Sequence, residues 1–144
     1  MAEVQDVEVI EEKENWNYYR VSDGTVIKVK IILLRLLAKE NGRMLPQDYS
    51  LNAIPVTCTM TPPDMVNSNL GEAFDLSFDV QKETWNEYKL ANGCTFFLKP
   101  TIIQIDRTND RDPVGMPIYK IQSQPVPKIR CNSTMSDADK EKWL

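Results

Sequence analysis

The chain has 144 residues, of which 42% are hydrophobic, and a formal net charge of −4 with no histidine. This length and composition are typical of one globular domain with its own core, so we expect residues 1–144 to form a single domain. The acidic balance argues against a nucleic-acid-binding protein, and the missing histidine removes the commonest general base and metal ligand.

A segment near the N-terminus is repeated later in the chain. Residues 16–37 read WNYYRVSDGTVIKVKIILLRLL, and residues 85–106 read WNEYKLANGCTFFLKPTIIQID. The agreement extends in both directions at nearly constant spacing. We therefore predict two tandem repeats, about 1–61 and 72–132, joined by a linker at 62–71 and followed by a tail at 133–144. Two such units are expected to close on each other around a pseudo-two-fold axis.

The first predicted element of each repeat is a strand. Residues 4–10 alternate weakly between apolar and polar side chains, and residues 74–80 alternate cleanly. A period of two is typical of a half-buried strand.

A tight hairpin follows in each repeat. Asp23-Gly24 and Asn92-Gly93 lie between two runs rich in aromatic and β-branched residues. These dipeptides are preferred where both central residues of a two-residue turn need positive φ. We therefore predict a two-residue hairpin loop at each position.

The second arm of the first hairpin is ambiguous on its own. Residues 31–37 are almost continuously apolar and rich in leucine, as in a helix, whereas the corresponding residues 101–105 are β-branched and alternate. The second repeat favours a strand in both. The inward parity changes along this arm, which predicts a β-bulge near Ile31 and near Pro100.

Polar loops, 39–49 and 107–116, precede a fourth strand in each repeat, predicted at 50–60 and 118–129. Pro55 and Pro125 lie at equivalent positions in these strands, and proline cannot donate to a strand ladder. We therefore expect both prolines at sheet edges or bulges.

These elements together predict an all-β fold. We expect a small barrel or sandwich of about eight strands, built from two tandem four-stranded repeats with pseudo-two-fold symmetry. Ser136 is a suitable N-cap for a short C-terminal helix over 137–144.

Three cysteines, Cys58, Cys94 and Cys131, are widely spaced in the sequence. An odd number without a secretory signal favours a reducing compartment, so we predict a cytoplasmic protein with Cys58 and Cys94 buried as small apolar side chains. The longest apolar run is interrupted by Arg35 and is too short to cross a bilayer, which argues against a membrane protein.

Evidence for catalysis is weak. Asp106, Asp110 and Asp112 lie in one acidic segment, but two arginines lie among them and the glycine and closing glutamate of a calcium loop are missing. We predict no metal, no cofactor and no catalytic residue, and leave open whether this segment binds a cation. An enzyme with carboxylates that converge from different strands is a second alternative.

The leading interpretation is a non-enzymatic binding or assembly module that acts through contacts with a partner protein or with itself. Apolar residues occupy both faces of the strand that contains Ile32, Leu34 and Leu36, whereas a core covers only one face. We therefore predict a homo-oligomer, most simply a dimer, with these three residues at its interface.

The first alternative is an OB-like domain that binds single-stranded nucleic acid. Trp16, Tyr18 and Tyr19 would stack on bases, while Lys28 and Lys30 would contact phosphates. Trp16 and Tyr19 recur in the second repeat, which favours a role in packing instead. Nucleic acid is therefore the less favoured partner.

Overall fold

The computed structural model describes residues 4–39, 45–66 and 70–131, and most of them lie in nine β-strands. The strands are β1 Val4–Asp6, β2 Val9–Lys13, β3 Asn17–Val21, β4 Val26–Lys39, β5 Tyr49–Met60, β6 Phe78–Lys82, β7 Asn86–Leu90, β8 Cys94–Arg111 and β9 Pro117–Cys131. Two 3-10 turns, Pro46–Asp48 and Pro63–Met65, complete the described structure. The all-β prediction is confirmed. The helix expected at 137–144 lies outside the described residues.

The strands form two antiparallel sheets. In the first sheet β4 is central: β5 pairs along one side of it, β3 and β1 pair with the two ends of its other side, and β6 adds to β3. The second sheet has the order β2-β7-β8-β9. Within the described ranges, no helical segment is long and apolar enough to cross a membrane.

The two halves of the chain exchange strands between the sheets. β2 comes from the first half but pairs with β7 of the second half, with Glu12 opposite Tyr88. Reciprocally, β6 comes from the second half but pairs with β3, with Tyr19 opposite Val80. Each sheet therefore contains a strand from the opposite half, and neither half can complete its sheet alone.

This exchange explains why the first strand of each half is misplaced in the sequence prediction. The alternating segment 4–10 is divided, because β1 pairs in the first sheet and β2 in the second. In the second half, Asp75 has a positive φ of 51° and β6 starts only at Phe78. A period-two pattern reports extended backbone, but it does not show where the chain changes partner strand.

The hairpin positions are confirmed, but the loops have three residues, not two. The Val21 amide donates to the Thr25 carbonyl and the Gly24 amide donates to the Val21 carbonyl. Gly24 has a φ of 93° and Gly93 a φ of 91°, whereas no described non-glycine residue in either loop has a positive φ. This geometry is a turn closed by a glycine bulge. Asp23 Oδ1 accepts from the Thr25 amide at 3.0 Å and Asn92 Oδ1 from the Cys94 amide at 2.9 Å, so these side chains stabilise the loop without a positive φ of their own.

The bulges exist, three residues beyond the predicted positions. The β4–β5 register shifts between Leu33 and Arg35, and the β8–β9 register shifts between Ile102 and Gln104. Before each bulge one set of alternate residues faces the core, and after the bulge the other set does. In β4, Ile31 is buried before the bulge and Leu36 is buried after it.

The reversal lets β4 and β8 each contribute to two cores. The first core combines the end of β4 with the start of β8 and contains Ile31, Leu36, Ala38, Tyr49, Tyr88, Leu90, Cys94, Phe96 and Leu98. The second core combines the start of β4 with the end of β8 and contains Tyr19, Val21, Ile27, Val29 and Ile105. Both cores therefore draw on both halves of the chain.

The sheets do not close into a barrel. Among the described strands, β5 pairs only with β4 and β9 pairs only with β8. A small cavity between β5 and β9 is lined by Pro55 and Pro125. Because neither proline has an amide hydrogen, β5 and β9 cannot form a regular ladder of backbone hydrogen bonds where they approach each other. The expectation that both prolines lie at sheet edges is confirmed.

Candidate functional site

The free side of β5 is the longest uncharged edge in the described structure. The strand pairs with β4 from Tyr49 to Met60, and its sequence YSLNAIPVTCTM contains no charged residue. The last four residues, 57–60, are all exposed, and Met60 has an exposed fraction of 44%. An edge of this kind presents unpaired backbone amides and carbonyls to a partner strand, except at Pro55, which has no amide hydrogen.

The free side of β9 differs in charge and in proline content. Its sequence PIYKIQSQPVPKIRC carries three cationic residues, no acidic residue and three prolines. Lysine and proline on an edge strand oppose pairing with another strand. The two long edges are therefore chemically unequal.

The predicted interface residues do not share one surface. Leu36 is 3% exposed and belongs to the first core, Ile32 is half-buried, and Leu34 is 56% exposed. The bulge at Leu34 is the reason, because it turns Leu36 inward. Both sides of β4 are also paired with neighbouring strands. Of the three, only Leu34 offers a large exposed side chain.

The predicted stacking residues are also separated. Tyr19 is 1% exposed and its hydroxyl donates to Glu83 Oε2 at 3.3 Å. Burial, together with the nearby Glu83 carboxylate, raises the pKa of Tyr19 above its ordinary range. Tyr19 is therefore a core residue and cannot stack on a base, while Trp16 and Tyr18 remain half-buried. Lys28 Nζ and Lys30 Nζ lie 4.5 and 5.5 Å from the centre of the Trp16 ring.

A larger group of rings and cations lies on the outer side of the second sheet. We call Trp85, Phe97, Lys99, Lys128 and Arg130 the aromatic–cation face. The sequence did not predict this face, because the stacking hypothesis considered only the aromatic residues Trp16, Tyr18 and Tyr19. The signal was present in the parity: Phe97 and Lys99 alternate with the core residues Phe96 and Leu98, and Phe97 is only 8% exposed because cationic side chains lie over it.

Asn17 and Asn86, which occupy matching positions in the two predicted repeats, join the halves of the chain. Asn86 Oδ1 accepts from the Asn15 amide at 2.8 Å, and Asn17 Oδ1 accepts from the Thr84 amide. Asn17 and Asn86 are almost completely buried. In the same region the Tyr88 hydroxyl donates to Glu14 at 2.8 Å. These contacts support a structural role for the residues that recur.

A charged network lies next to the first hairpin loop. Arg107 Nη1 donates to Asp23 Oδ2 at 2.9 Å, and both side chains are 10% exposed. The Tyr119 hydroxyl also donates to Asp23 Oδ2 and lies 2.9 Å from Thr25 Oγ1. Burial raises the pKa of Asp23, but hydrogen bonds from Tyr119, Thr25 and Arg107 outweigh it and hold the pKa below its ordinary value. Burial and the bond to Asp23 raise the pKa of Tyr119 to about 12.

The acidic segment does not form a cation site in the described structure. β8 continues to Arg111, so the first half of the predicted 107–116 loop is strand. Asp106 accepts from the Asp75 amide at 2.8 Å and from Gln104 at 2.9 Å, and these bonds lower the pKa of Asp106. Asp112 accepts from two amides of its own turn. No group of three or more acidic or cysteine residues within the described ranges has the geometry to hold a metal ion.

The cysteines correct the prediction in two ways. Cys94 is buried as expected, but it forms a disulfide with Cys131 on the adjacent strand. Cys58 is exposed on the edge of the first sheet and not buried. Disulfides persist in oxidising surroundings, so the cytoplasmic compartment inferred from the odd cysteine count stays a prediction.

Two open depressions are candidates for a catalytic site. One, of about 570 Å³, is lined by the disulfide, Ile10, Lys89, Thr95 and Arg130 among others. Three carboxylates meet in a second depression at Glu11, Glu12 and Glu87, but all three are exposed. Glu11 also pairs with Lys89 at 2.9 Å. The carboxylates thus meet in solvent and not in the sheltered pocket that catalysis by clustered acids requires.

Comparisons of the chain with protein-family models, with curated proteins and with solved structures find no match.

Proposed function

We propose that the chain is a non-enzymatic assembly module that acts through protein contacts, and that the contact is the free edge of β5. The observation that carries the proposal is that this strand has no charged side chain and that its end, residues 57–60, is exposed beyond the approach to β9 at Pro55. Charged residues are the usual protection of an exposed edge strand, so their absence favours pairing. Strand addition to an exposed edge is a common mode of protein recognition.

A second copy of the chain is the partner that fits this edge best. Two β5 strands related by a two-fold axis run antiparallel, so their backbone groups are self-complementary. An uncharged strand meets no like-charge repulsion from its copy. The cationic residues of β9 would oppose the same pairing there. The dimer predicted from the sequence is therefore retained, but its interface moves from β4 to β5.

Light scattering across a wide concentration range tests the assembly. We expect a concentration-dependent dimer, and we expect Thr57→Lys with Thr59→Lys to make it monomeric, because both positions are exposed on the edge. The matched control is Ser77→Lys with Thr101→Lys, two exposed positions outside β5. A wild-type monomer at every concentration refutes the proposal, as does a control that dissociates equally.

Cys58 supplies a second measurement without a new cysteine. It is the exposed free cysteine of β5, while Cys94 and Cys131 are bonded to each other. A spin label on Cys58 should report one short intermolecular distance in the dimer. If dimers form but the two labels are far apart, the interface lies elsewhere on the molecule.

We also infer that the single domain of residues 1–144 arose from two tandem repeats, about 1–61 and 72–132, with pseudo-two-fold symmetry. Two features support this inference: the reciprocal pairing of β2 with β7 and β6 with β3, and the matching hydrogen bonds of Asn17 and Asn86 across the halves. Asn17→Ala and Asn86→Ala should each lower the free energy of unfolding by about 1–3 kcal/mol, because each leaves a buried amide unpaired. Chemical denaturation of the two variants should give similar losses, and a loss in only one would contradict equivalent roles.

A further inference from the structure

The aromatic–cation face concentrates positive charge on an acidic protein. Lys128 lies directly opposite Phe97 in the β8–β9 ladder, and Arg130 lies opposite Thr95. Lys128 and Arg130 form no ion pair with any described residue, whereas Lys99 pairs with Glu83 at 2.9 Å. The chain as a whole carries −4. The face is therefore a local cationic surface whose charge is largely uncompensated.

The cationic groups of this face lie over its aromatic rings. Lys99 Nζ and Lys128 Nζ lie 4.6 and 4.4 Å from the centre of the Trp85 ring. Lys128 also lies 4.7 Å from the Phe97 ring, and the Arg130 guanidinium carbon lies 5.7 Å from it. Cation–π attraction restricts these long side chains near one place. The same contacts cover the Trp85 ring, so a ligand that stacks on it must draw the two ammonium groups aside.

A surface that combines aromatic rings with cationic side chains is suited to one class of anionic polymer. A single-stranded nucleic acid offers phosphates to the lysines and arginine, and unpaired bases to the half-buried Trp85 ring. A duplex keeps its bases stacked and leaves the indole without a partner. A simple anion uses the cations but makes no use of the ring. We propose that the aromatic–cation face binds single-stranded nucleic acid, with Lys99 and Lys128 drawn from the ring onto phosphates together with Arg130, and with the uncovered Trp85 ring stacked on a base.

The corresponding surface of the first sheet is a weaker candidate. There Trp16 is accompanied by Lys28 and Lys30, and Lys28 occupies the place that Phe97 holds in the second repeat. That surface has two cation–π contacts against four on the aromatic–cation face. The second sheet therefore carries the proposal, and the first sheet provides an internal comparison.

Fluorescence anisotropy with a labelled oligothymidylate of about twelve nucleotides tests the phosphate contacts. The full-length protein should bind at about 50 mM salt and more weakly at about 200 mM. Lys128→Glu with Arg130→Glu should weaken binding about tenfold or more and reduce the slope of log affinity against log salt by about 1.4, since each lost contact removes about 0.7. The charge-matched control, Lys39→Glu with Lys120→Glu, changes two exposed lysines outside the face and should have little effect.

The ring is tested with Trp85→Leu, which should weaken binding about fivefold or more, and with Trp85→Phe, which keeps a ring and should restore part of the affinity. Circular dichroism checks that each variant is folded.

Three results overturn the proposal: no binding at low salt, equal losses in the charge-matched control, or a larger loss from Lys28→Glu with Lys30→Glu. Heparin that binds as tightly as the oligonucleotide, with no effect of Trp85→Leu, assigns the face to anionic polymers in general and rejects the nucleic-acid assignment.

This inference is independent of the assembly through β5. The same titration on the Thr57→Lys, Thr59→Lys variant separates the two, because that variant should bind the oligonucleotide as a monomer.

Discussion

The ends of the two hairpins have matching backbones but opposite chemistry. At one end the loop residue Asp23 meets the cross-strand pair Arg107 and Tyr119 in a charged, nearly buried network. At the other end Asn92 lies 3.4 Å from the Tyr49 hydroxyl, and the residue opposite Tyr49 is Ala38. A disulfide lies beside this second loop at Cys94. One loop is thus anchored by ionic hydrogen bonds and the other by apolar packing and a covalent link, which shows that the same turn tolerates either solution.

The largest expected effect comes from removing one partner of the charged network. Arg107→Met should lower the free energy of unfolding by about 3–5 kcal/mol, because Asp23 would remain as a buried charge without its cation. Urea denaturation measures the loss. Arg20→Met, at an exposed arginine, is the control and should change stability little. Combining Asp23→Asn with Arg107→Met imitates the neutral end and should recover part of the loss, and no recovery would mean that Arg107 acts through packing alone.

The disulfide anchors the other end and should have the next largest effect. Cys94→Ala with Cys131→Ala should lower the free energy of unfolding by about 2–4 kcal/mol, because the bond closes a loop with a sequence separation of 37. Denaturation with and without reductant provides the same comparison for the unaltered chain. Cys58→Ala is the control and should have no comparable effect, since Cys58 is exposed and unbonded.

The two ends should also differ in their response to pH. The pKa of Asp23 is lowered by folding, so its contribution is present above the unfolded value of about 3.9 and is lost as the pH falls through the folded value. The pKa of Tyr119 is raised to about 12, so its contribution is present below pH 10 and is lost as the pH rises from about 10 to 12. The free energy of unfolding, measured against pH, should depend less on acid pH in Asp23→Asn than in the unaltered chain. In Tyr119→Phe it should depend less on alkaline pH. Unchanged profiles would show that the network does not titrate with folding.

The smallest expected effect is at the loop glycines. Gly24→Ala and Gly93→Ala should each cost about 1 kcal/mol, because both residues have positive φ. An added Cβ at Gly24 would make an ordinary contact with Pro62 at 3.4 Å, and an added Cβ at Gly93 would have no atom within 4 Å, so neither variant meets a clash and the two losses should be similar. Thermal unfolding measures both losses. Gly71→Ala, without a positive φ, is the control, and a similar loss there would show that the turn conformation is not the cause.

Part of this comparison could be predicted from the sequence. Asp-Gly and Asn-Gly located both hairpins, because a turn depends on adjacent residues. The size of the loops was not predicted. The Asp23 and Asn92 side chains accept from the amide two residues further along, and this bond makes Asp-Gly and Asn-Gly as suitable for a three-residue loop as for a two-residue loop. The sequence predicted a bulge in β4 and in β8, because the residues expected to face the core change from one alternate set to the other. Only the register with the neighbouring strands identified Leu34 and Ile103 as the bulged residues.

The candidate surfaces were predicted less well. Leu36 was assigned to an interface and lies in a core, because alternation shows that two side chains share a face but not which face is covered. The burial of Tyr19 agrees with the packing role that its recurrence favoured and excludes the stacking role of the alternative. The aromatic–cation face needs β8 and β9 side by side, and residues such as Phe97 and Lys128 are too far apart in sequence for any local pattern to pair them.

The sequence by itself determined the properties that depend on neighbours along the chain: the strand character of most segments, the two hairpin positions, the edge preference of Pro55 and Pro125, and the presence of bulges. Only the tertiary structure decided which strands pair, that β2 and β6 change places between the halves, that Cys94 meets Cys131, and that Asp23 meets Arg107. These contacts join residues separated by tens of positions. Their energies depend on which groups are removed from water together, and that is set by the packing of the two sheets and not by local sequence.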